Sequence, residues 1–272
     1  NDTLLLDPVR VLRGPGHSVQ LGAVLINQGV LVGFDDEARQ QALGLGIKAR
    51  PAADQLVAPC LVDPHSVLET PFSGDQETAV SLRHCAAAGG YGQIALLPRS
   101  SSWRDRPERL QGFSLDQDQT ATVRLHLWGG FSSGGKGDEV APHGDLLEHG
   151  AIGLADDDAM VPAPLLERGL LLGEMGGCPV LVAPRDPTLQ GEGLVREGVE
   201  TLRAGWPADP VTSETLPLGQ VLLLHQRHPE RQLRLMNLST AAAVQQLSGC
   251  ESPPMSSVSW WHLLTDRSML AS

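Results

Sequence analysis

The stretch Gln55–Pro71, QLVAPCLVDPHSVLETP, constrains the chain more than any other. Its apolar run, Leu56–Val62, closes on Asp63-Pro64-His65. A short apolar run bounded by turn residues is the pattern of a buried strand. Polar side chains at the C-terminal end of such a strand lie where a βα barrel places its active site. From Leu56 onward, strand-like and helix-like segments alternate, as parallel strands covered by helices require. Strands are expected at Leu56–His65, Tyr91–Leu97, Ala121–Trp128, Ala151–Ala155, Pro179–Val182, Leu233–Leu238 and Ser257–Leu263. Helices are expected at Gln76–Ala88, Gly144–His149, Pro164–Met175, Leu194–Ala204, Leu216–His228 and Thr240–Ser248. Gly89-Gly90 supplies a helix stop, Pro162 and Pro164 a helix start, and Ser239-Thr240 an N-cap.

Residues 1–54 carry a different pattern. Thr3–Leu6 and Val9–Leu12 are short apolar runs split by Asp7-Pro8, and Ala23–Ile26 and Val30–Gly33 flank the hairpin signal Asn27–Gly29. Asp35–Leu45 is expected to be helical, with Ala49–Asp54 as a connector. The fold class is therefore α/β: a small N-terminal β layer, residues 1–54, ahead of a (β/α)8-type barrel over residues 55–272. A closed barrel needs about eight strands. With seven in view, the barrel is expected to be incomplete at its C-terminus, its eighth strand either lost or not within this sequence.

Composition excludes several classes of function. With 272 residues and 41% hydrophobic content, a full core needs no disulfide. Aromatics are only 4%, so Leu, Val and Ala fill that core. The net charge of −12 argues against a nucleic-acid groove and against an anionic membrane surface, both of which need clustered Lys and Arg. Cys60, Cys85, Cys178 and Cys250 are widely separated and lack zinc-cluster spacing. Cys60 and Cys178 flank apolar runs and are expected to be buried thiols in a reducing compartment. No leader and no membrane-length apolar run is evident, so the expected location is cytoplasmic. No dinucleotide fingerprint, Walker element or nucleophile elbow is present. His225 and His228, spaced i, i+3, fit an exposed polar helix face.

The Gln55–Pro71 stretch resembles the first barrel strand of the amidohydrolase superfamily, and within it the dihydroorotases, whose pattern runs V-x-P-G-L-V-D-x-H-x-H-x-R-E-P-G. Val57, Pro59, Leu61, Val62, Asp63, His65 and Pro71 match it. Val67 stands where the second metal-binding His belongs, and Glu69 where the substrate-binding Arg belongs. AGGYGQIALLP, Ala88–Pro98, resembles A-G-G-F-T-T-V-V-x-M-P-N, which puts Arg99 on the substrate-binding Asn. GAIGLADDD, Gly150–Asp158, resembles G-A-V-A-F-S-D-D-G, which puts Asp156 on a metal-bridging Asp. PVLVAPRDPTL resembles P-V-x-x-H-x-E-D-x-x-L with Ala183 on the metal His, and RLMNLST resembles x-x-A-H-V-S-T with Asn237 on another. SWWHLLTD resembles T-P-H-H-L-L-L-T-D and retains His262. Lys136 lies in a Gly-rich loop loosely similar to a lysine-containing family loop, and is expected to be solvated.

The resemblance implies an amidohydrolase-type barrel whose metal positions are degenerate at Val67, Ala183 and Asn237, with His65 and Asp156 surviving. Asp63, His65 and Asp156 are the vestigial catalytic candidates. His65 reads otherwise as a strand-end histidine bonded to a neighbour, and Asp156 as a solvated turn or N-cap. Glu69 and Arg99, at the altered substrate positions, are either a mutual ion pair or two separate surface charges. The resemblance further implies a non-catalytic, dihydroorotase-like protein with no cofactor. Its expected role is an assembly or regulatory partner in pyrimidine biosynthesis, with aspartate carbamoyltransferase or a second copy of itself as companion. The enzyme alternative is a dihydroorotase or other cyclic amide hydrolase with a rebuilt or metal-poor site, using zinc. A small-molecule sensor that kept the pocket is a third reading.

Overall fold

The computed structural model describes residues 3–68, 77–99, 103–111, 123–157, 160–266 and 268–269. The chain divides into two compact units, Asn1–Leu61 and Val62–Ser272.

In the first unit β1 (Thr3–Val11), β2 (Gln20–Asn27), β3 (Val30–Phe34) and β4 (Ala49–Val57) form one sheet, with α1 (Asp35–Gly44) between β3 and β4. The strand order is β3-β2-β1-β4, antiparallel except that β4 runs parallel to β1. The β2–β3 hairpin turns on Gln28 and Gly29, both at positive φ, as its tight geometry requires. Leu5, Ala23 and Leu25 pack on Ala38 and Ala42 of α1, while Leu6, Val9, Val11, Val24 and Ala52 form a second cluster. This period-2 sorting of apolar residues uses both faces of the sheet. Two expectations are corrected. Thr3–Val11 is one strand whose register shifts across Asp7-Pro8, since proline has no N–H for the ladder. Ala49–Asp54 is not a connector but most of β4.

The second unit is built from βα pairs. Its strands are β5 (Leu61–Ser66), β6 (Tyr91–Leu96), β7 (Arg124–Leu127), β8 (Gly129–Gly130), β9 (Leu154–Ala155), β10 (Val180–Val182), β13 (Leu233–Leu235) and β14 (Met255–Ser256). They form two sheets, ordered β5-β6-β7 and β14-β13-β10-β9-β8. β7 and β8 are two halves of one bent strand, and backbone bonds from Trp128 N to Leu96 O (3.0 Å) and from Ile152 N to Leu127 O (2.9 Å) join the sheets. The main covering helices are α2 (Ala79–Ala88), α4 (His143–Glu148), α5 (Ala163–Leu172), α8 (Thr212–Arg227) and α9 (Ala241–Ser248), with short α3 (Pro107–Gln111), α6 (Pro187–Gln190) and α10 (Trp261–Leu264) also among the described residues. Between α6 and α8 the chain inserts β11 (Val195–Arg196), α7 (Val199–Ala204) and β12 (Ala208–Asp209), the two strands pairing in parallel.

Side chains of these strands sort into two layers. Leu154, Val180, Val182, Leu233 and Leu235 pack outward on Leu165, Leu166 and Leu170 of α5 and Leu218 and Val221 of α8. Ala95, Leu97, Trp128, Ala155, Leu181, Ala183 and Met236 form a separate inner cluster. The βα beat is the expected one, with local corrections. The first barrel strand begins at Leu61 rather than Leu56, with Pro59 in the break. Leu194–Ala204 is not one helix, because Gly198 separates β11 from α7. The last strand ends at Ser256, and Trp261–Leu264 is helical. Cys60 is exposed and Cys178 half-buried, so neither is the buried thiol expected. His228, at the end of α8, is buried rather than on an exposed face.

Where β6 and β7 part at their C-terminal ends, Arg104 fills the fork. It is 1% exposed. Its Nη2 donates to Leu96 O at 2.6 Å and its Nε to Trp128 O at 3.1 Å. Burial pushes its pKa down to about 10, still high enough to keep the charge. Replacing Arg104 by Met removes the charge-assisted bonds to the carbonyls of Leu96 and Trp128. The expected loss is about 2–4 kcal/mol in equilibrium denaturant unfolding, and a variant as stable as wild type would rule the clip out.

Candidate functional site

At the C-terminal ends of the barrel strands, His65 and Asn237 meet at Ser257, and Val67 and Ala183 share one apolar cluster. His65 ends β5, and its Nε2 lies 2.7 Å from Ser257 Oγ, just past β14. Ser257 Oγ also accepts from Asn237 N at 3.2 Å. Asn237 follows β13, is exposed, and takes a left-handed φ of 59°. Asp63 folds back locally, its Oδ1 accepting from His65 N at 3.2 Å. Val67 and Ala183 belong to the apolar inner cluster with Trp128, Leu181 and Met236. Trp128 locks that cluster by donating its indole N–H to Pro64 O at 2.8 Å.

Asp156 follows β9 and is neither a solvated turn nor an N-cap. Its Oδ1 accepts from Phe131 N and Ser132 N, both at 2.9 Å, and its Oδ2 accepts from Ser132 Oγ at 2.6 Å. Burial raises its pKa, and the hydrogen bonds oppose that shift. The carboxylate thus anchors the Gly-rich loop that leaves β8. Asp105, also buried, accepts from Gly134 N at 2.7 Å, and Trp103 Nε1 donates to Ser132 O at 3.0 Å. Three glycines of this loop, Gly134, Gly135 and Gly137, have positive φ, and a Cβ on Gly135 would meet the Trp103 ring at 2.9 Å. The Gly-rich loop is therefore pinned, with Lys136 exposed at its tip as expected. Below it, His143 is buried, its Nε2 2.8 Å from Phe131 O, and burial lowers its pKa.

Arg99 lies 3.5 Å from Asp157. Glu69, its expected partner, lies outside the described residues. A second polar centre went unnoticed in the sequence. Arg196 contacts Asp209 Oδ2 at 3.0 Å and Glu214 Oε2 at 3.1 Å, and donates to Ser213 Oγ at 2.7 Å. Glu214 in turn accepts from the backbone N–H groups of Ser239 and Thr240, at the start of α9. These residues are spread over four elements, and no local spacing announces them. Arg104 and Asp105 were missed for the same reason.

No protein-family model matches the chain. A crystal structure of a D-hydantoinase superposes on it with a TM-score of 0.75 at 16% identity, over 99% of this chain and 60% of that one. The fold is accordingly an amidohydrolase-type α/β barrel. A probable dihydroorotase-like protein of Synechocystis sp. is 31% identical over 245 residues, covering 81% of this chain and 55% of that relative. A dihydroorotase of Pelotomaculum thermopropionicum is 29% identical over 201 residues, 74% of this chain and 47% of its own length. Within the amidohydrolases, this chain is dihydroorotase-like. It spans about half the length of these curated relatives.

The resemblance implies a divalent metal at the strand ends, and the described residues there do not fit one. A catalytic ion of this kind needs several imidazole or carboxylate donors converging on one point. Among the described residues no group of three or more His, Cys, Asp or Glu side chains could hold an ion. His65 is committed to Ser257, and the Asp156 oxygens face the loop backbone.

The depressed His143 pKa gives a signed prediction. Unfolding restores the ordinary value, so the unfolded chain binds the extra proton as pH falls below about 6.5. The stability that neutral His143 contributes is present above that value and is lost on acidification. A His143→Gln variant should therefore lose less thermal stability than wild type between pH 7 and pH 5.5. Parallel melting curves for the two proteins would contradict it.

Proposed function

We propose that this chain is a non-catalytic, dihydroorotase-like protein that acts as an assembly or regulatory partner in pyrimidine biosynthesis, accompanying aspartate carbamoyltransferase. One observation carries the reading: two of the positions where the resemblance calls for metal ligands are apolar and packed into the inner cluster. Val67 and Ala183 lie in one cluster with Trp128, Leu181 and Met236. An unpartnered imidazole in such a setting would cost roughly 1–3 kcal/mol, so reverting these positions one at a time works against the packing. The resemblance to dihydroorotase-like relatives supplies the pathway, and loss of ligands with retention of the barrel supports a role in assembly rather than turnover.

Elemental analysis of the purified full-length protein, with a dihydroorotate turnover assay on the same sample, tests this. The expected result is metal well below one equivalent and no turnover. Near-stoichiometric zinc with turnover would overturn the reading in favour of an active cyclic amide hydrolase.

A further inference from the structure

The Val195–Asp209 insert has its polarity reversed. Thr201 of α7 is buried at 0% exposure, donating its Oγ1–H to Arg196 O at 2.6 Å. Val199 and Leu202, spaced i, i+3 on the same helix, are 56% and 76% exposed. Leu194 before β11 and Trp206 after α7 are 68% and 49% exposed. A short helix that buries its threonine and presents its aliphatic residues to water gains nothing from that arrangement in isolation.

The insert is nevertheless held firmly. Arg196 ties it through Asp209 on β12 to Glu214 on α8, and Glu214 fastens the start of α9. Arg196 also donates to Pro210 O at 3.0 Å. At the other end, Leu194 N donates to Pro207 O at 3.0 Å. Gly193 is packed so closely that a Cβ would lie 2.6 Å from Asp209 Cα. A rigid mount under exposed Leu and Trp side chains is what a preorganised interface anchor needs, and Trp is enriched among residues that dominate binding energy.

We infer that the Val195–Asp209 insert is a docking surface for a protein partner whose contact is an apolar groove rimmed by Lys and Arg; this rests on the assembly role proposed above. Charge selects the occupant. With Arg196 turned onto Asp209 and Glu214, the charges next to the apolar residues in sequence are Glu192, Glu197 and Glu200 against Arg203, and the chain carries a net charge of −12. A second copy would bring the same acidic rim and the same net charge against itself, whereas a basic rim complements both. The insert is smaller than a whole stable interface, which buries about 1,200–2,000 Å², so it serves as the anchor within a wider contact.

The test uses the full chain and purified aspartate carbamoyltransferase of the same organism, mixed and followed by calorimetry at low and high salt. Wild type is expected to bind, more weakly as salt rises. Leu202→Glu is expected to weaken binding at least tenfold. Leu43→Glu, at an equally exposed position on α1, is expected to bind like wild type, and melting curves check that both variants are folded. Equal binding by wild type and Leu202→Glu would overturn the docking surface and leave the assembly role standing. Absence of a wild-type complex would remove both. Self-association of wild type that Leu202→Glu abolishes would assign the surface to a second copy instead.

Discussion

The inner packing around Trp128 is the constraint on which the rest of the barrel depends. Its indole ring lies among Ala95, Leu97, Ala155, Leu181, Ala183 and Met236, contributed by four strands and the segments that follow them, and its N–H reaches Pro64 O. A barrel interior is a filled core, and each inward position along a strand must suit its neighbours on the next. Large Trp and Met side chains are accommodated because Ala95, Ala155 and Ala183 are small. Val67 and Ala183 belong to the same apolar packing. Packing and chemistry compete for the same few inward positions here.

Around this core, single polar side chains add hydrogen bonds to the backbone at the strand ends. Arg104 satisfies carbonyls where β6 and β7 diverge, Asp156 satisfies the N–H groups of Phe131 and Ser132, and Glu214 satisfies those of Ser239 and Thr240. Buried main-chain groups without partners are costly, so these three residues fix the paths of the loops at the strand ends. Asp156 occupies a position that the family resemblance assigns to a metal, yet its present geometry serves the loop. The Arg196 centre extends the same logic outward, holding a reversed-polarity insert in one orientation.

The alternation of strands and helices was legible because burial imposes a period on apolar residues, and β6, β10, α5 and α9 fall close to their expected positions. Boundaries set by backbone chemistry were less legible. Ala49–Val57 pairs in parallel with β1, a long-range partner that local composition cannot announce. Met255–Ser256 is a two-residue strand defined by its pairing with β13, not by its own propensity. The Arg196–Asp209–Glu214 centre and the Arg104 fork draw on residues far apart in the chain, and an isolated Arg in a sequence has no visible partner.

By itself the sequence determined the kind of architecture, through periodic apolar runs and the ordered motif matches that begin at Asp63-Pro64-His65. It also determined that Val67 and Ala183 carry no side-chain donor, whatever the fold. Tertiary structure alone decided what the surviving groups do. His65 turns to Ser257 and Asp156 to the Phe131–Ser132 backbone because strands distant in sequence end side by side, and hydrogen-bonding groups there pair with whatever the packing brings within reach.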